Sequence, residues 1–179
     1  MELRAIETAY HDCLFRSRIE ARWAVFFDYL KIAWEYEAEG FELPYGRYLP
    51  DFWLTDHRWW FEVKGALPVA EKDRNRCVDL AKATGQRVFI ARGKIEKPTW
   101  ERASSISEVF PSGGYSGYYW WASCAECGMM VLKFYVETDS GGGQCPRCGK
   151  YIDAGEPCGQ VGYAVRAANS ARFEHGETA

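Results

Sequence analysis

The 179-residue sequence lacks any apolar stretch long enough to cross a bilayer, and its mean hydropathy is −0.36. Residues 1–4 also lack a basic start followed by an apolar segment, so we expect no signal peptide. These absences predict a cytoplasmic protein with no membrane partner. In a reducing compartment, clustered cysteines are more often metal ligands than disulfides.

The sequence also lacks the net positive charge of a strongly basic nucleic-acid binder, since its formal charge is −3. The charge is unevenly distributed, however. Residues 1–63 hold seven Lys/Arg and twelve Asp/Glu, whereas residues 64–97 hold nine and four. An acidic segment followed by a basic one suits a metal site that faces a phosphate backbone, and it also suits a solvated helix of mixed charge.

The apolar residues, in contrast, are plentiful enough for a folded core. They make up 47% of the chain, and aromatic residues make up 16%. The charged fraction of 26% gives no reason to expect disorder. The length fits one medium domain, or a compact domain with a small satellite module.

The order of helix and strand patterns predicts an α/β sandwich built on a mixed sheet. Apolar residues three or four positions apart predict a helix over 15–30, and a second helix is predicted over 69–84 with Gly85 as its C-cap. Strand patterns occur over 34–37, 41–43, 48–54, 59–64 and 87–91. The expected order is helix, three strands, helix and strand.

Four segments follow from this pattern. We expect a core over 1–97, a connector over 98–117 that becomes a strand, a zinc ribbon over 118–155, and a tail over 156–179. An aromatic run at 118–121 begins the ribbon. Such a run packs two modules together or stacks nucleic-acid bases.

The first group of candidate catalytic residues is Asp51 and, after ten intervening residues, Glu62, Val63 and Lys64. Two carboxylates on adjacent strands can converge on one Mg²⁺, which prefers oxygen ligands. Alternation along the strand puts Lys64 on the face of Glu62, where its ammonium can orient water or bind phosphate. Val63 would point into the core and offer its backbone carbonyl as a further ligand.

The stretches 15–23, 48–52 and 61–65 resemble the PD-(D/E)XK nuclease superfamily, and the likeness covers about residues 10–97. Small nucleases of phages and mobile elements are the most similar in layout, along with Holliday-junction resolvases and transposon-end nucleases. The resemblance implies a restriction-endonuclease-like αβββαβ core. It also implies that Asp51, Glu62 and Glu20 bind catalytic Mg²⁺ or Mn²⁺, with Lys64 as the catalytic lysine.

Each of these residues also has a purely structural interpretation. Glu20 can pair with Arg16 on an exposed helix face, and Asp51 can cap a turn. Glu62 and Lys64 can form a salt bridge at a sheet edge. The basic residues of the second helix are either a solvated face or contacts to phosphate: Lys72, Arg74, Arg76 and Lys82. His11 and His57 are isolated, and neither is assigned a role.

The second group comprises two Cys-X2-Cys pairs, each followed by glycine and separated by seventeen residues. Four thiolates predict a tetrahedral structural Zn²⁺ site with no open coordination position, and a strand over 131–136 completes the ribbon pattern. The predicted ligands are Cys124, Cys127, Cys145 and Cys148. A rubredoxin-like iron site uses similar pairs. Cys158 lies close enough in sequence to be an alternative ligand, whereas Cys13 and Cys77 are expected in the core.

Together these patterns predict a Mg²⁺- or Mn²⁺-dependent endodeoxyribonuclease that hydrolyses DNA phosphodiester bonds. The alternative is a non-catalytic adaptor that binds DNA or protein through a nuclease-like core and a zinc ribbon. DNA is the expected partner in either case. A second copy of the chain and a replication or recombination protein are further expected partners.

Overall fold

The computed structural model describes residues 5–65, 68–97, 105–134, 143–152 and 159–173. This part of the chain is mixed α/β, which confirms the predicted class. Its three helices are α1 (Arg18–Tyr29), α2 (Glu71–Thr84) and α3 (Gly159–Ser170). The strands are β1 (Thr8–Tyr10), β2 (Cys13–Phe15), β3 (Glu35–Tyr36), β4 (Phe41–Leu43), β5 (Gly46–Tyr48), β6 (Phe52–Leu54), β7 (Trp59–Lys64), β8 (Arg87–Arg92), β9 (Ile106–Val109), β10 (Tyr115–Ser123), β11 (Met130–Phe134), β12 (Gly143–Gln144) and β13 (Tyr151–Ile152).

Seven of these strands form one mixed sheet in the order β11-β10-β9-β8-β7-β6-β3. Strands β7 and β8 run parallel, and the other neighbours in this sheet run antiparallel. The parallel connection passes through α2, as a crossover between parallel strands requires. In chain order, α1 is followed by three strands of this sheet (β3, β6 and β7), then by α2, and then by the sheet strand β8. That order agrees with the predicted one, while membership of the restriction-endonuclease-like class stays a prediction.

Helix α1 begins at Arg18, three residues later than predicted, because Phe15 belongs to β2. Ser17 is the N-cap, and its hydroxyl accepts a hydrogen bond from the Glu20 backbone N–H. The helix buries an apolar face that includes Trp23 and Phe27. Helix α2 likewise begins at Glu71 and ends where Gly85 adopts the left-handed conformation with φ +66°, as predicted for a C-cap.

The sheet is covered on both faces. On one face α1 and α3 pack together over a core that contains Phe61 and Trp121. On the other face α2 and the β4–β5 hairpin enclose a smaller core around Trp60, Leu80 and Ile90. Because side chains alternate along β7, Phe61 faces the first core, whereas Trp60 and Glu62 face the second. The candidate site therefore lies on the α2 side of the sheet.

The predicted aromatic run lies within β10, and its last three residues are buried. Tyr119, Trp120 and Trp121 are all buried, and the Trp121 ring packs against the rings of Phe27 and Phe61. Large buried rings contribute several kcal/mol each, about 3–5 kcal/mol when truncated to alanine. These side chains supply packing, and their faces are not available for stacking bases.

Several elements were not predicted, including β9 and α3. Strand β9 lies inside the predicted connector and joins β8 to β10, and β10 runs through residue 118, where the ribbon was expected to begin. Helix α3 lies in the predicted tail, and Asn169 Nδ2 donates to the Ile95 carbonyl at 2.9 Å. Within the described ranges, no helix is long and apolar enough to cross a membrane.

Candidate active site and metal centre

Two buried carboxylates meet where β6 and β7 lie side by side. Asp51 directly precedes β6, and the register that pairs Phe52 with Phe61 places Asp51 opposite Glu62. The Asp51 backbone N–H donates to Glu62 Oε2 at 3.2 Å, and the Val63 backbone N–H donates to Asp51 Oδ2 at 2.7 Å. Asp51 and Glu62 are each 2% exposed. These bonds fix both carboxylates in place, since buried polar groups require partners.

Lys64 completes this group at the end of β7. Its Nζ lies 2.5 Å from Glu62 Oε1, and its side chain is 26% exposed. Burial lowers the pKa of Lys64, but the Glu62 and Asp51 carboxylates raise it by more, so the ammonium form is favoured. The salt bridge of the structural interpretation is therefore present, but β7 lies between β6 and β8, so the pair is not at a sheet edge.

Glu20 approaches from α1 and is 7% exposed. The Ser17 hydroxyl donates to its Oε1 and the Tyr36 hydroxyl donates to its Oε2, both at 2.6 Å. Tyr36 links it to Arg16, which pairs with Asp51, and the charge of Glu20 is among the causes that raise the pKa of Asp51. The alternative of an Arg16–Glu20 pair does not describe this arrangement, because Arg16 pairs with other carboxylates.

Arg16 is a member of the site that the sequence did not reveal. Its Nη2 lies 2.5 Å from Asp51 Oδ1, and its Nε lies 2.8 Å from Glu37 Oε1. Its backbone N–H also donates to the Tyr36 hydroxyl at 3.1 Å. Burial lowers the pKa of Arg16, but the Tyr36 hydrogen bond and the Asp51 and Glu37 charges raise it by more, so the net pKa is raised. Arg16 thus holds an oxygen of Asp51, and Lys64 holds an oxygen of Glu62.

Burial and neighbouring groups favour the protonated form of two side chains in the site. Burial raises the pKa of Asp51 well above its usual range, and the Glu62 and Glu20 charges raise it further. Burial likewise raises the pKa of Tyr48, with contributions from Cys77 and Glu62. A carboxylate in such a setting binds a proton more readily than one in water does. Carboxylate oxygens from Glu20, Asp51 and Glu62 suit a hard divalent cation.

Each side chain predicted for catalysis therefore has a defined place. Asp51, Glu62 and Lys64 are joined by hydrogen bonds that involve adjacent strands, and Glu20 approaches them from α1. The Val63 side chain is buried in the first core, as predicted. The role of its carbonyl as a metal ligand stays a prediction, as do the catalytic roles of the other four residues.

The four predicted cysteine ligands come together. Cys124 Sγ lies 3.7 Å from Cys148 Sγ, and Cys127 Sγ lies 3.6 Å from Cys145 Sγ. All four sulfur atoms lie within 4.8 Å of one another, the arrangement needed to hold one metal ion. Among the described residues this is the one group of three or more Cys, His, Asp or Glu ligand atoms so closely clustered.

The two cysteine turns have matching backbone geometry. In the first, the Cys124 N–H donates to the Met129 carbonyl at 2.8 Å, and the Gly128 N–H donates to the Cys124 carbonyl at 2.9 Å. In the second turn, the Cys145 N–H donates to the Lys150 carbonyl, and the Gly149 N–H donates to the Cys145 carbonyl, both at 2.8 Å. Gly128 has φ +72° and Gly149 has φ +70°, a conformation that favours glycine. The glycine after each pair therefore shapes the ligand turn.

Two contacts attach this cysteine cluster to the turn between β6 and β7. His57 Nε2 lies 2.6 Å from the Met130 carbonyl oxygen, and Arg147 Nη2 lies 3.1 Å from Asp56 Oδ2. Burial lowers the pKa of His57, so its neutral form is favoured. The histidine left unassigned from sequence thus joins the turn to β11, the strand that follows the first cysteine turn.

The other cysteines lie apart from the cluster. Cys77 is fully buried on α2 and Cys13 packs against the first core, as predicted. Cys158 lies outside the described residues, as do residues 135–136 of the predicted ribbon strand, whose described part is β11. No family model, curated protein or solved structure matches the chain.

Proposed function

We propose that the chain is a divalent-metal-dependent nuclease of the PD-(D/E)XK type that hydrolyses DNA phosphodiester bonds. The observation that carries this proposal is the hydrogen-bonded set of Asp51, Glu62 and Lys64 on two adjacent strands. Two carboxylates and an ammonium in one buried group suit hydrolysis of an anionic ester. A residue set with only a structural role would gain little from burying two carboxylates so close together.

Each residue has a role in this mechanism. Asp51, Glu62, Glu20 and the Val63 carbonyl would hold Mg²⁺ or Mn²⁺ through oxygen ligands alone, which fits the preference of these ions. The bound ion supplies a more acidic water and neutralises phosphate charge. Lys64 orients the attacking water and offers a positive charge to the phosphate oxygens as negative charge builds up.

Arg16 must change partner when the site binds a cation. Its guanidinium holds the Asp51 oxygen and also reaches Glu37, so it can release Asp51 while keeping an ion pair. Half of its side chain is exposed, which leaves room for this movement. Turned outward, Arg16 would meet the backbone phosphates of a bound nucleic acid.

The cysteine cluster is proposed to be a closed structural zinc site in a ribbon module. Four thiolates fill a tetrahedral coordination sphere, so the ion would contribute folding free energy and no chemistry. The ribbon would offer contacts to DNA or to a replication or recombination protein. A homodimer is proposed for cutting both strands of a duplex, because each chain carries one active site.

The test is cleavage of labelled duplex, single-stranded, flapped and four-way-junction DNA by zinc-loaded protein, with Mg²⁺, with Mn²⁺ or with neither. Asp51→Asn removes a ligand charge without changing shape, and Lys64→Met removes the ammonium. Each should lower the cleavage rate about 100-fold or more. The matched controls are Asp12→Asn and Lys31→Met at exposed positions, which should cut like the wild type.

Absence of cutting by folded, zinc-loaded wild type on every substrate would contradict the nuclease proposal. The adaptor function would then account for the chain, provided that it binds DNA or protein. Affinity for DNA that falls steeply with salt concentration would mark a phosphate-binding surface, whereas salt-insensitive, weak affinity would favour a protein-docking role.

A further inference from the structure

A pocket of about 440 Å³ opens beside the candidate active site, between α2 and the sheet. Its floor includes Ile90 of β8 with Ser107 and Val109 of β9, and its rim includes Arg74 of α2 and Arg92 of β8. None of these residues takes part in the proposed cleavage step. The volume lies within the range of small-molecule sites.

Strand register fixes how the pocket lies relative to the active site. In the parallel pairing of β7 with β8, Glu62 pairs with Ile90 and Lys64 pairs with Arg92. Paired residues on neighbouring strands point to the same face, and the strands lie about 4.8 Å apart. The pocket residues of β8 are therefore the direct neighbours of Glu62 and Lys64 on the α2 side of the sheet.

The same row of residues continues one strand further. Ile90 pairs with Ser107 of β9, so Glu62, Ile90 and Ser107 stand side by side across three strands. Two strand spacings amount to about 10 Å between Glu62 and Ser107. That is a separation that one nucleotide can bridge, with its phosphate at the carboxylate end and its base at the serine end.

Among the three residues of this row, Ser107 gives the clearest indication that the pocket binds a ligand. It is 3% exposed, and its hydroxyl has no hydrogen-bond partner among the described residues. A buried hydroxyl without a partner costs free energy, so such a group needs a functional explanation. Because Ser107 lines the pocket, a ligand that enters can supply the missing hydrogen bond.

The chemistry of the lining matches a nucleotide. Val69, Ile90 and Val109 offer apolar surface for the face of a base, and the Ser107 hydroxyl can donate to or accept from its edge. Positive charge from the arginine side chains at the rim suits a phosphate. The serine hydroxyl has no fixed preference between donor and acceptor, so this pocket should accept different bases.

We infer that this pocket receives one unpaired nucleotide of the substrate, next to the phosphate that is cut. A paired base cannot offer its hydrogen-bonding edge to Ser107, whereas an unstacked base at a flap, a junction or a strand end can. The inference rests on the proposed nuclease function, and it narrows the substrate to DNA that contains unpaired nucleotides near the cleavage point.

The test measures binding of thymidine 5′-monophosphate and deoxyadenosine 5′-monophosphate to the full zinc-loaded chain by calorimetry, without Mg²⁺ or Mn²⁺. Wild type should bind both in a saturable manner. Ser107→Ala should weaken binding about five- to tenfold through loss of one hydrogen bond. Arg74→Gln, on the helix surface, should weaken it about tenfold through loss of a charged contact.

The control is Arg47→Gln, which removes a guanidinium from the exposed β4–β5 hairpin and should bind like the wild type. Circular dichroism and zinc content verify that each variant is folded. Absence of saturable binding by wild type, or unchanged binding by both pocket variants, would overturn the inference. Cleavage of duplex DNA at the same rate as flapped DNA would also count against it.

Failure of this inference is distinguishable from failure of the proposed function. A chain that cuts DNA yet binds neither mononucleotide would keep the nuclease function and lose the pocket's role. A chain that binds mononucleotides through Ser107 and cuts no substrate would lose the nuclease function. The pocket would then stand as a nucleotide site.

Discussion

Arg16 Nη2 lies 2.5 Å from Asp51 Oδ1, so a guanidinium occupies the oxygen that is proposed to bind a divalent cation. The two residues are 35 positions apart in the sequence and meet because Arg16 precedes the cap of α1 while Asp51 precedes β6. An ion pair at this point balances the buried charge of Asp51, and it would compete with the proposed metal ion.

Replacing Arg16 with alanine should therefore raise the affinity of the site for Mn²⁺. Removal of a partly exposed ion pair that competes for Asp51 should tighten binding by about fivefold, equivalent to about 1 kcal/mol. Titration followed by the electron paramagnetic resonance of free Mn²⁺ measures the change. Arg47→Ala is the matched control, since its guanidinium pairs with Glu42 on an exposed hairpin. Weaker Mn²⁺ binding by Arg16→Ala would mean that Arg16 organises the site.

The raised pKa of Asp51 predicts that Asp51→Asn stabilises the chain at neutral pH. The folded state binds the Asp51 proton more tightly than the unfolded state, so the free energy of unfolding falls as pH rises through the folded-state pKa. Asparagine is neutral at every pH, so the free energy of unfolding of Asp51→Asn does not fall for this reason. We expect the variant to exceed the wild type in urea unfolding at pH 8, without added Mg²⁺ or Mn²⁺, and the difference to shrink at pH 5.5.

Asp12→Asn controls for the loss of an exposed carboxylate. It should leave the free energy of unfolding within about 0.5 kcal/mol of the wild type. A lower stability of Asp51→Asn at both pH values would show that the Val63 and Arg16 contacts with the carboxylate outweigh the cost of burying its charge.

Zinc removal should destabilise the chain. Cys145→Ser replaces one of four clustered ligands, and we expect loss of bound metal together with a clear drop in the midpoint of thermal unfolding. Elemental analysis measures the metal, and it also separates zinc from the rubredoxin-like iron alternative. Cys13→Ser, outside the cluster, is the control and should retain one metal ion per chain.

His57 should make stability depend on pH in the mildly acidic range. Its pKa is lowered by burial, so the unfolded chain binds its proton more readily and the free energy of unfolding falls as pH drops below about 6.5. His57→Gln keeps an N–H near the Met130 carbonyl and cannot titrate. We expect the variant to lose less stability than the wild type between pH 7.5 and pH 5.5.

Urea unfolding at both pH values measures this difference, with His11→Gln in the exposed turn between β1 and β2 as the matched control. An equal loss of stability in wild type and His57→Gln would assign the pH dependence to other groups. Zinc content is verified at each pH, because thiolate ligands also bind protons.

Local patterns predicted what depends on neighbours in sequence. The apolar spacing of α1, the glycine that ends α2 and the paired Cys-X2-Cys turns all have short-range causes, and each is present. The alternation in β7 also placed Glu62 and Lys64 on one face. The start of α1 was misplaced because Phe15 continues the apolar period although it belongs to β2.

Features that depend on long-range pairing were not predictable. Ser107 lies in a segment with no helix or strand signal of its own, and its place beside Ile90 follows from the register of β8 with β9. The Arg16–Asp51 contact likewise depends on how α1 packs beside the sheet. A single sequence carries no direct record of either pairing.

The sheet order also determines how the chain can be divided in the laboratory. Strand β8 is covered by β9, and β9 by β10, which continues into the first cysteine turn at Cys124. A fragment that stops at residue 97 would leave the backbone of β8 as an open edge, with a ready template for self-association. Recombinant work on the proposed active site alone should therefore retain the cysteine turns, because a fragment that ends at residue 97 would be expected to aggregate.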